Sequence, residues 1–449
     1  MSFFSTGFKN KKVLILGLGL HGGGAGAASF FARAGAKVIV TDLKRKAELR
    51  STLQKLARFK NIAYVLGRHH KEDIINADMI VKNPGVLEDS PWLKLARVHN
   101  VTVCSDVEIF FKYCPADIIG ITGTKGKSTA AWLLTEFLRK GNTHRKVFLA
   151  GNIRKSVLEI LPAIHPKDLV VLELSSFQLD SLAHSSVSPK FAVITNIYPE
   201  HLNRYRNFAH YIKSKAGIFR FQKKADCLFI NRDDQLVKKI SKSAKSKRIL
   251  VNVRKTSAPF RRELDKRYAP HQKASVALAI AVAGYLEVSA GAIVKVLRNA
   301  KPLFGRLEMV RRIGGVTFIN DTTATNPGAS LAALQALSQK YRGIVLIAGG
   351  ADKKLPSTEF AKAIVKFVKA VVFLPGKATT KVKFEVLNSK FKIPKIFDAK
   401  KMSEAVKTAR AVAGAGDTVL LSPGAASFGL FQNEFDRGEQ FVQAVRNLR

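Results

Sequence analysis

Residues 123–129 have the composition of a loop that holds a nucleoside triphosphate. They read Gly-Thr-Lys-Gly-Lys-Ser-Thr and follow an apolar run that starts after Asp117. In such loops glycines bring backbone amides close to the phosphates, a lysine reaches the β- and γ-phosphates, and a hydroxyl binds Mg²⁺. We therefore predict that Lys127 contacts ATP and that Ser128 is a magnesium ligand. The other ATP-binding candidates of this loop are Gly123, Thr124, Lys125, Gly126 and Thr129.

A second glycine-rich loop, Gly17-Leu-Gly-Leu-His-Gly22, lies near the N-terminus. It follows an apolar stretch and precedes small residues typical of a helix, the context in which glycine loops bind a pyrophosphate. Asp42 ends the next apolar stretch, where dinucleotide-binding domains place an acid on a ribose hydroxyl. Taken alone, this half of the chain favours an NAD-binding oxidoreductase as an alternative.

Glu173 and His201 each stand beside an apolar run that predicts a strand. Glu173 precedes Leu-Ser-Ser-Phe-Gln, and His201 closes the segment that begins at Asn196. Ligands of open α/β sheets gather at the carboxyl ends of the strands. A carboxylate and an imidazole beside a triphosphate loop are candidate Mg²⁺ ligands, directly or through water. We predict that both residues belong to the metal site.

Both glycine loops need a strand before them and a helix after them. The first loop lies between predicted strands at 11–17 and 37–42, which makes a βαβ opening. The second lies between the strand that starts at Asp117 and a predicted helix over 130–139. Further apolar runs predict strands that extend the central sheet, at 169–174, 192–196 and 227–231.

A third alternating set of strands and helices begins near Leu303. Its predicted strands cover 316–320, 344–348, 370–374 and 418–422. Strands that alternate with helices indicate sheets covered by helices. We therefore predict an α/β protein of three domains: a Rossmann-like N-terminal domain over 1–108, a central P-loop ATPase-like domain with a mostly parallel sheet over 109–302, and a Rossmann-like C-terminal domain over 303–449.

The chain is strongly basic. Its 449 residues carry a formal net charge of +42, from 75 Lys and Arg against 33 Asp and Glu. This charge favours phosphate-rich partners and makes nucleic-acid binding an alternative. The basic residues are spread along the chain and are not interleaved with aromatics, which indicates a solvated basic surface. We expect anionic nucleotide substrates and no nucleic-acid partner.

No segment has the length expected of a membrane span. The most apolar stretch, 274–286, is shorter than the ~20 residues that cross a bilayer and predicts a buried helix. The N-terminal residues lack the apolar core of a signal peptide, so we expect a cytoplasmic protein. The three cysteines show neither a paired framework nor metal-ligand spacing and are expected to be reduced.

The order of the motifs resembles the Mur ligase family. The central motifs that carry the resemblance are the loop 123–129, Gly151-Asn-Ile, Glu173-Leu-Ser-Ser-Phe-Gln, the segment 196–201 and Tyr211-Ile-Lys-Ser-Lys215. Those of the C-terminal part are Gly305-Arg-Leu-Glu, Asn320-Asp-Thr-Thr-Ala-Thr-Asn-Pro, Gly349-Gly-Ala-Asp-Lys353 and Leu421-Ser-Pro-Gly-Ala-Ala-Ser-Phe. The resemblance covers nearly the whole chain and implies an ATP-dependent amide ligase of peptidoglycan synthesis.

For the first two domains the resemblance implies a UDP-linked substrate and two Mg²⁺ ions. The N-terminal glycine loop is implied to bind uridine diphosphate instead of NAD, and the implied substrate-binding residues are Leu20, His21, Asp42, Asn83, Gly85 and Asn152. Lys215 resembles a lysine that the family carbamylates, a change that turns an ammonium into an anion able to bind the second Mg²⁺ with His201. The implied metal ligands are Ser128, Glu173, His201 and the carbamate of Lys215.

For the third domain the resemblance implies closure over ATP and a site for the incoming amino acid. Arg306 resembles an arginine near the γ-phosphate, and Asp321 resembles an aspartate near the ribose. The two carboxylates of D-glutamate are implied to be held by Lys353, Thr325, Ser427 and Phe428. Ser427 is also a candidate N-cap of a helix over 428–433. The implied catalytic residues are Lys127, Glu173, His201, Lys215, Arg306 and Lys353.

The implied reaction joins D-glutamate to UDP-N-acetylmuramoyl-L-alanine through an acyl phosphate, and a monomer is expected. The chain departs from the family pattern at a few positions. Gln272 and Ser275 stand where relatives usually have asparagine, Thr323 where some have lysine, and Glu434 where some have phenylalanine. A ligase of the same superfamily that uses another amino acid is therefore an alternative.

Overall fold

A computed structural model describes residues 7–20, 22–141, 145–153, 156–201, 204–390 and 394–448. The chain forms two compact units. The first unit contains residues 1–198, 209–268 and 272–298, and the second contains residues 199–208, 269–271 and 299–449. Two sheets lie in the first unit and one in the second.

The N-terminal sheet has five parallel strands in the order β3-β2-β1-β4-β5, the arrangement of a Rossmann-type half-sheet. The strands are β1 (Lys12–Leu16), β2 (Lys37–Asp42), β3 (Ile62–Leu66), β4 (Met79–Lys82) and β5 (Thr102–Ser105). The helices are α1 (Gly23–Arg33), α2 (Arg50–Leu56), α3 (Lys71–Ile75), α4 (Pro91–Val98) and α5 (Asp106–Tyr113).

The central sheet has six parallel strands in the order β11-β10-β9-β6-β8-β7. The strands are β6 (Asp117–Thr122), β7 (Val147–Gly151), β8 (Leu169–Glu173), β9 (Phe191–Ile194), β10 (Cys227–Asn231) and β11 (Lys247–Val251). The helices are α6 (Lys127–Gly141), α7 (Val157–Ile160), α8 (Ser176–His184), α9 (Phe208–Arg220), α10 (Gln235–Ile240), α11 (Ala258–Arg267), α12 (Pro270–Tyr285) and α13 (Ala290–Asn299). Ile121 of β6 pairs with Glu173 of β8, so both strands end at the same edge.

The C-terminal sheet has six strands in the order β12-β13-β17-β14-β15-β16, of which only β12 is antiparallel to its neighbour. The strands are β12 (Glu308–Ile313), β13 (Val316–Asn320), β14 (Ile344–Ala348), β15 (Val368–Phe373), β16 (Lys395–Asp398) and β17 (Thr418–Leu421). The helices are α14 (Pro327–Leu337), α15 (Thr358–Phe367), α16 (Lys377–Leu387), α17 (Met402–Val412) and α18 (Glu434–Arg446). Two apolar clusters pack on this sheet.

The α/β class predicted from the sequence is confirmed, and the four predicted strands of the central sheet lie close to their predicted positions, whereas β7 and β11 were not predicted. The apolar stretch 274–286 contains the buried residues of α12. None of the helices in the described ranges is long and apolar enough to cross a membrane. The two predicted boundaries between the three domains stay a prediction.

Candidate functional site

The loop 123–126 links β6 to the first residue of α6. Gly123 and Gly126 have φ values of 146° and 82°, which L side chains rarely adopt. A Cβ on Gly126 would also lie 2.0 Å from the Ser275 hydroxyl of α12, so the loop and this helix approach closely. The Lys127 ammonium folds back and donates to the carbonyls of Gly123 at 2.9 Å and Thr124 at 3.1 Å. The loop therefore has the strand-loop-helix geometry that cradles phosphates.

Three predicted residues meet at the end of β8. The Ser128 hydroxyl makes a short hydrogen bond to one oxygen of Glu173, and Asn152 donates to the other oxygen at 3.0 Å. Glu173 is 2% exposed. A carboxylate and a hydroxyl beside a triphosphate loop form the oxygen-rich donor set that Mg²⁺ prefers.

Lys215 lies buried on α9 in the same unit. Its Nζ atom donates to the Thr122 hydroxyl at 3.0 Å, and that hydroxyl donates to the Leu174 carbonyl at 2.7 Å. The Nζ atom also lies 5.4 Å from the centre of the Tyr211 ring. Thr122 ends β6 and Leu174 follows β8, so Lys215 reaches the strand ends that carry the loop and Glu173.

The segment after β9 supports the loop 123–126 through residues that received no predicted role. Thr195 donates to the Lys125 carbonyl at 2.6 Å. Asn196 binds both backbone groups of Lys125, accepting from its amide at 2.9 Å and donating to its carbonyl at 3.0 Å. The Thr124 hydroxyl lies 3.1 Å from the Tyr211 hydroxyl. These contacts fix the backbone on which the phosphates would rest.

The N-terminal loop is built around Asp42. One carboxylate oxygen accepts from the Gly19 amide at 3.0 Å, and the other accepts from the Lys44 amide at 2.9 Å. Asn83 accepts from the Gly85 amide at 2.9 Å, and its Cβ lies 3.0 Å from the position of a Cβ on Gly17. The structure therefore brings the predicted residues at the ends of β1, β2 and β4 together. Leu20 follows Gly19 in this loop, and His21 lies outside the described residues.

Two titratable groups near this loop were missed by sequence reasoning. The His69 ring lies 2.6 Å from the Thr41 hydroxyl, and burial lowers the pKa of His69 while the charge of Asp42 raises it. Asp106, at the start of α5, has a carboxylate oxygen 3.6 Å from the position of a Cβ on Gly23. Burial raises the pKa of Asp106 to about 6, against a hydrogen bond from the Val107 amide that lowers it. Isolated residues of these types give no sequence signal.

In the second unit, Asp321 follows β13 and ties two loops to the sheet. It accepts from the Leu307 amide at 3.2 Å and from the Ser422 hydroxyl at 2.9 Å. Leu307 is next to Arg306, which is half-buried, so the backbone beside the predicted arginine is hydrogen-bonded to the predicted aspartate. This places both beside the carboxyl end of the C-terminal sheet.

Lys353 and Thr325 meet at a cavity that we call the Lys353 pocket. The Lys353 ammonium donates to the Thr325 hydroxyl at 3.0 Å and lies 4.0 Å from a carboxylate oxygen of Glu200. Glu200 is buried and accepts from Asn326 at 2.9 Å. The lining of this pocket includes Thr325, Pro327, Lys353, Ser357, Lys381 and Ala425. Glu200 and Lys381 received no predicted role.

The segment around Ser427 differs from the predicted helix. Ser427 is buried and Phe428 is 63% exposed, and a turn follows instead of a helix. Gly429 has a φ of 98°, which interrupts helical geometry, and Asn433 caps α18 through the amides of the next turn. The helix prediction over 428–433 was therefore wrong.

His201 belongs to the second unit. It adopts a left-handed conformation with a φ of 55°, and its carbonyl accepts from the amides of Arg204 and Tyr205, both at 2.9 Å. Its predicted part in a metal site with Lys215 stays a prediction.

Family models match three consecutive parts of the chain. Residues 11–105 match the model "Mur ligase MurD-like, N-terminal domain", and residues 121–289 match "Mur ligase middle domain". Residues 305–424 match "Mur ligase, glutamate ligase domain". The first match gives the N-terminal glycine loop a Mur ligase context in place of the NAD-binding alternative.

Curated relatives match over nearly their whole length. The chain is 38% identical to a UDP-N-acetylmuramoylalanine–D-glutamate ligase of Roseiflexus sp. (strain RS-1), covering 98% of this chain and 99% of that one. It is 37% identical to the enzyme of the same name in Borreliella afzelii (strain PKo), covering 98% of both.

Solved structures share the fold at lower identity. UDP-N-acetylmuramate-alanine ligase MurC from Thermotoga maritima aligns with a TM-score of 0.64 at 18% identity, over 97% of this chain and 99% of that one. MurF from Acinetobacter baumannii aligns with a TM-score of 0.60 at 15% identity, over 100% of this chain and 93% of that one. The resemblance read from the sequence motifs is confirmed, and the chain belongs to the Mur ligase family.

Proposed function

We propose that this protein is an ATP-dependent ligase that adds D-glutamate to UDP-N-acetylmuramoyl-L-alanine in peptidoglycan synthesis. Full-length relatives that bear the name of this ligase support the choice of substrates. The observation that carries the proposal is the convergence of Ser128, Glu173 and Asn152 beside the Lys127 loop. This cluster provides oxygen ligands for Mg²⁺ beside a lysine for the phosphates of ATP, as a phosphoryl transfer to a carboxylate requires.

The reaction proceeds in two steps, phosphorylation of the carboxylate and formation of the amide. A carboxylate oxygen of the L-alanine residue attacks the γ-phosphorus of ATP, the bond to the β-phosphate oxygen breaks, and ADP leaves. The amine of D-glutamate then attacks the acyl carbon, inorganic phosphate leaves, and the nitrogen loses a proton. Phosphorylation is needed because a free carboxylate has no good leaving group. Lys127 and Arg306 stabilise the charge that spreads over the transferred phosphoryl group.

Mg²⁺ fits the residues at the end of β8. The Ser128 hydroxyl and the Glu173 carboxylate are hard oxygen donors, and they already lie within hydrogen-bond distance of each other. When bound, Mg²⁺ supplies neutralisation of charge on the phosphate oxygens. A second ion would be held by His201 and Lys215 after the Lys215 amine has added CO₂ and released a proton.

The Lys353 pocket suits a small dicarboxylate. The ammonium of Lys353 and the hydroxyl of Thr325 are adjacent, and Lys381 adds a second cation to the lining. Charge-assisted hydrogen bonds to a carboxylate are stronger than neutral ones. We assign the side chains of Lys353, Thr325 and Ser427 and the Phe428 region to D-glutamate.

We assign one substrate to each of the three sheets. The N-terminal sheet, with the Asp42 and Asn83 loops, binds the UDP part of the substrate, the central sheet binds ATP, and the C-terminal sheet binds the amino acid. The boundaries lie near residues 108 and 302. The active form is a monomer in the cytoplasm. Size-exclusion chromatography tests the monomer against the chain mass of 49.3 kDa.

The deciding experiment measures ADP release by the purified protein with Mg²⁺, ATP and UDP-N-acetylmuramoyl-L-alanine. D-glutamate, L-glutamate, L-alanine, L-serine and diaminopimelate are added in parallel. Release that depends on D-glutamate alone is the expected result. Release with another amino acid would retain the ligase chemistry and overturn the specificity, and no release with any of them would contradict the proposal.

A further inference from the structure

Arg437 is a fully buried cation in the C-terminal domain. It lies on α18 with a relative exposure of 0%. Burial lowers the pKa of Arg437 to about 10, while the nearby charge of Glu434 raises it, so the guanidinium is charged at neutral pH. Within the described ranges of the chain no ion pair joins Arg437 to a carboxylate. A buried charge of this kind needs hydrogen-bond acceptors.

The acceptors belong to two loops that lie far apart in sequence. Arg437 Nη2 donates to the Thr322 carbonyl at 2.8 Å, and Nε donates to the Thr322 hydroxyl at 3.1 Å. Nη1 donates to the Ala425 carbonyl at 3.1 Å. The planar guanidinium therefore spans both loops with bonds of fixed relative direction.

Thr322 is the centre of this arrangement. Its hydroxyl donates to the Glu434 carbonyl on α18 at 2.6 Å. Its methyl group lies 2.6 Å from the position of a Cβ on Gly305 and 2.6 Å from that of a Cβ on Gly438. Thr322 is 0% exposed, so its hydroxyl has no access to water as a substitute partner.

Each tied loop carries residues of the proposed site. Thr322 lies between Asp321 and Thr325, and Ala425 lies two residues before Ser427. The two loops also meet directly through the Gly424 amide and the Ala324 carbonyl at 3.0 Å. A change at the guanidinium is therefore transmitted to both sides of the amino-acid site.

We infer that Arg437 is a positioning residue for the amino-acid substrate: it holds the 321–326 and 422–427 loops in register, so that Thr325 and Ser427 face one ligand. This inference rests on the proposed function for the identity of that ligand. The mechanical part, the joint ordering of two loops, is independent of it.

The test uses two substitutions of Thr322. Thr322→Val keeps the shape but removes the hydroxyl, whereas Thr322→Ser keeps the hydroxyl and removes the methyl group. We expect Thr322→Val to raise the KM for D-glutamate about tenfold, because it leaves the Nε donor without its acceptor. The KM for UDP-N-acetylmuramoyl-L-alanine should stay within about twofold, and Thr322→Ser should remain close to the wild type. Arg437→Lys, which keeps the charge without the planar fork, should behave like Thr322→Val.

Hydrogen-deuterium exchange of the same proteins tests the ordering of the two loops separately from the identity of the ligand. Faster exchange in 321–326 and 422–427 together, with the rest of the sheet unchanged, is expected for Thr322→Val and Arg437→Lys. Unchanged exchange in either loop would overturn the inference even if the protein had no ligase activity. Equal rises of KM for all substrates would also overturn it, since a general loss of stability has no preference for the amino acid.

Discussion

The phosphate loop and the Lys353 pocket differ in how their side chains are brought together. Lys127 and Ser128 come from one continuous segment, and their supporting contacts come from strand ends next to it. Lys353, Thr325 and Ser427 come from three separate loops, two of which depend on Arg437 from a fourth segment. The first site is fixed by local backbone geometry, and the second by a distant buried side chain. We therefore expect substitutions far from the sites to affect the binding of the amino acid more than the transfer of the phosphoryl group.

The largest effect is expected at the phosphate loop itself. Lys127→Met should lower kcat/KM for ATP about 10³-fold, because it removes the cation that stabilises the transferred phosphoryl charge. Steady-state ADP release measures this effect. Lys140→Met, at the exposed end of the same helix, is the control and should change little. A similar loss of kcat/KM in both variants would contradict a specific role of Lys127 in phosphoryl transfer.

The next effect concerns the metal ligands. Glu173→Gln keeps the shape of the side chain but removes the charge that attracts Mg²⁺. The Mg²⁺ concentration that gives half-maximal activity should rise on the order of tenfold to a hundredfold. Glu136→Gln, at a half-buried residue of α6 that pairs with Arg139, serves as control. An unchanged Mg²⁺ dependence in the Glu173 variant would remove Glu173 from the metal site.

A smaller effect is expected in the Lys353 pocket. Lys353→Met should raise the KM for D-glutamate about tenfold and leave the KM for ATP within about twofold, because only the carboxylate contact is lost. Lys354→Met changes the adjacent exposed lysine and should leave both constants near the wild type. Parallel titrations of D-glutamate and ATP measure the split. A larger change for ATP than for D-glutamate would assign this pocket to the nucleotide.

The smallest effect lies outside both sites. Because the pKa of Asp106 is raised to about 6 in the folded protein, the folded state binds more protons than the unfolded state between pH 4 and 6. This carboxyl therefore lowers stability progressively as pH rises through that window, by at most ~3 kcal/mol above pH 7. Asp106→Asn should raise the free energy of unfolding by ~1–3 kcal/mol at pH 8 and little at pH 4.

Urea unfolding at the two pH values measures the difference between Asp106→Asn and the wild type. Asp117→Asn, at a more exposed carboxyl, is the matched control. A gain that is the same at pH 4 and pH 8 would mean that charge burial is not its cause.

Much of the fold could be predicted because its inner strands are buried and apolar. Strands β2, β10, β13 and β14 have the predicted bounds. Strand β11 was not among the predicted strands. It is an edge strand that begins with exposed Lys247 and Arg248 and therefore lacks an apolar run.

The candidate sites also contain residues that could be predicted from the sequence and residues that could not. Contiguous motifs predicted that the loop of Lys127 and Glu173 lie near each other, because each motif directly follows an apolar run that predicts a strand. Glu200, Lys381 and Arg437 could not be found in this way. Each is a common charged residue whose meaning depends on a partner elsewhere in the chain, and only the tertiary contacts reveal that partner.

The close approach between Gly126 and Ser275 has a consequence for the engineering of this protein. A side chain at position 126 would collide with the Ser275 hydroxyl at 2.0 Å, and a larger residue at position 275 would press on the loop. In this chain the two positions are therefore coupled, and a substitution at either one is expected to shift the segment that carries the other.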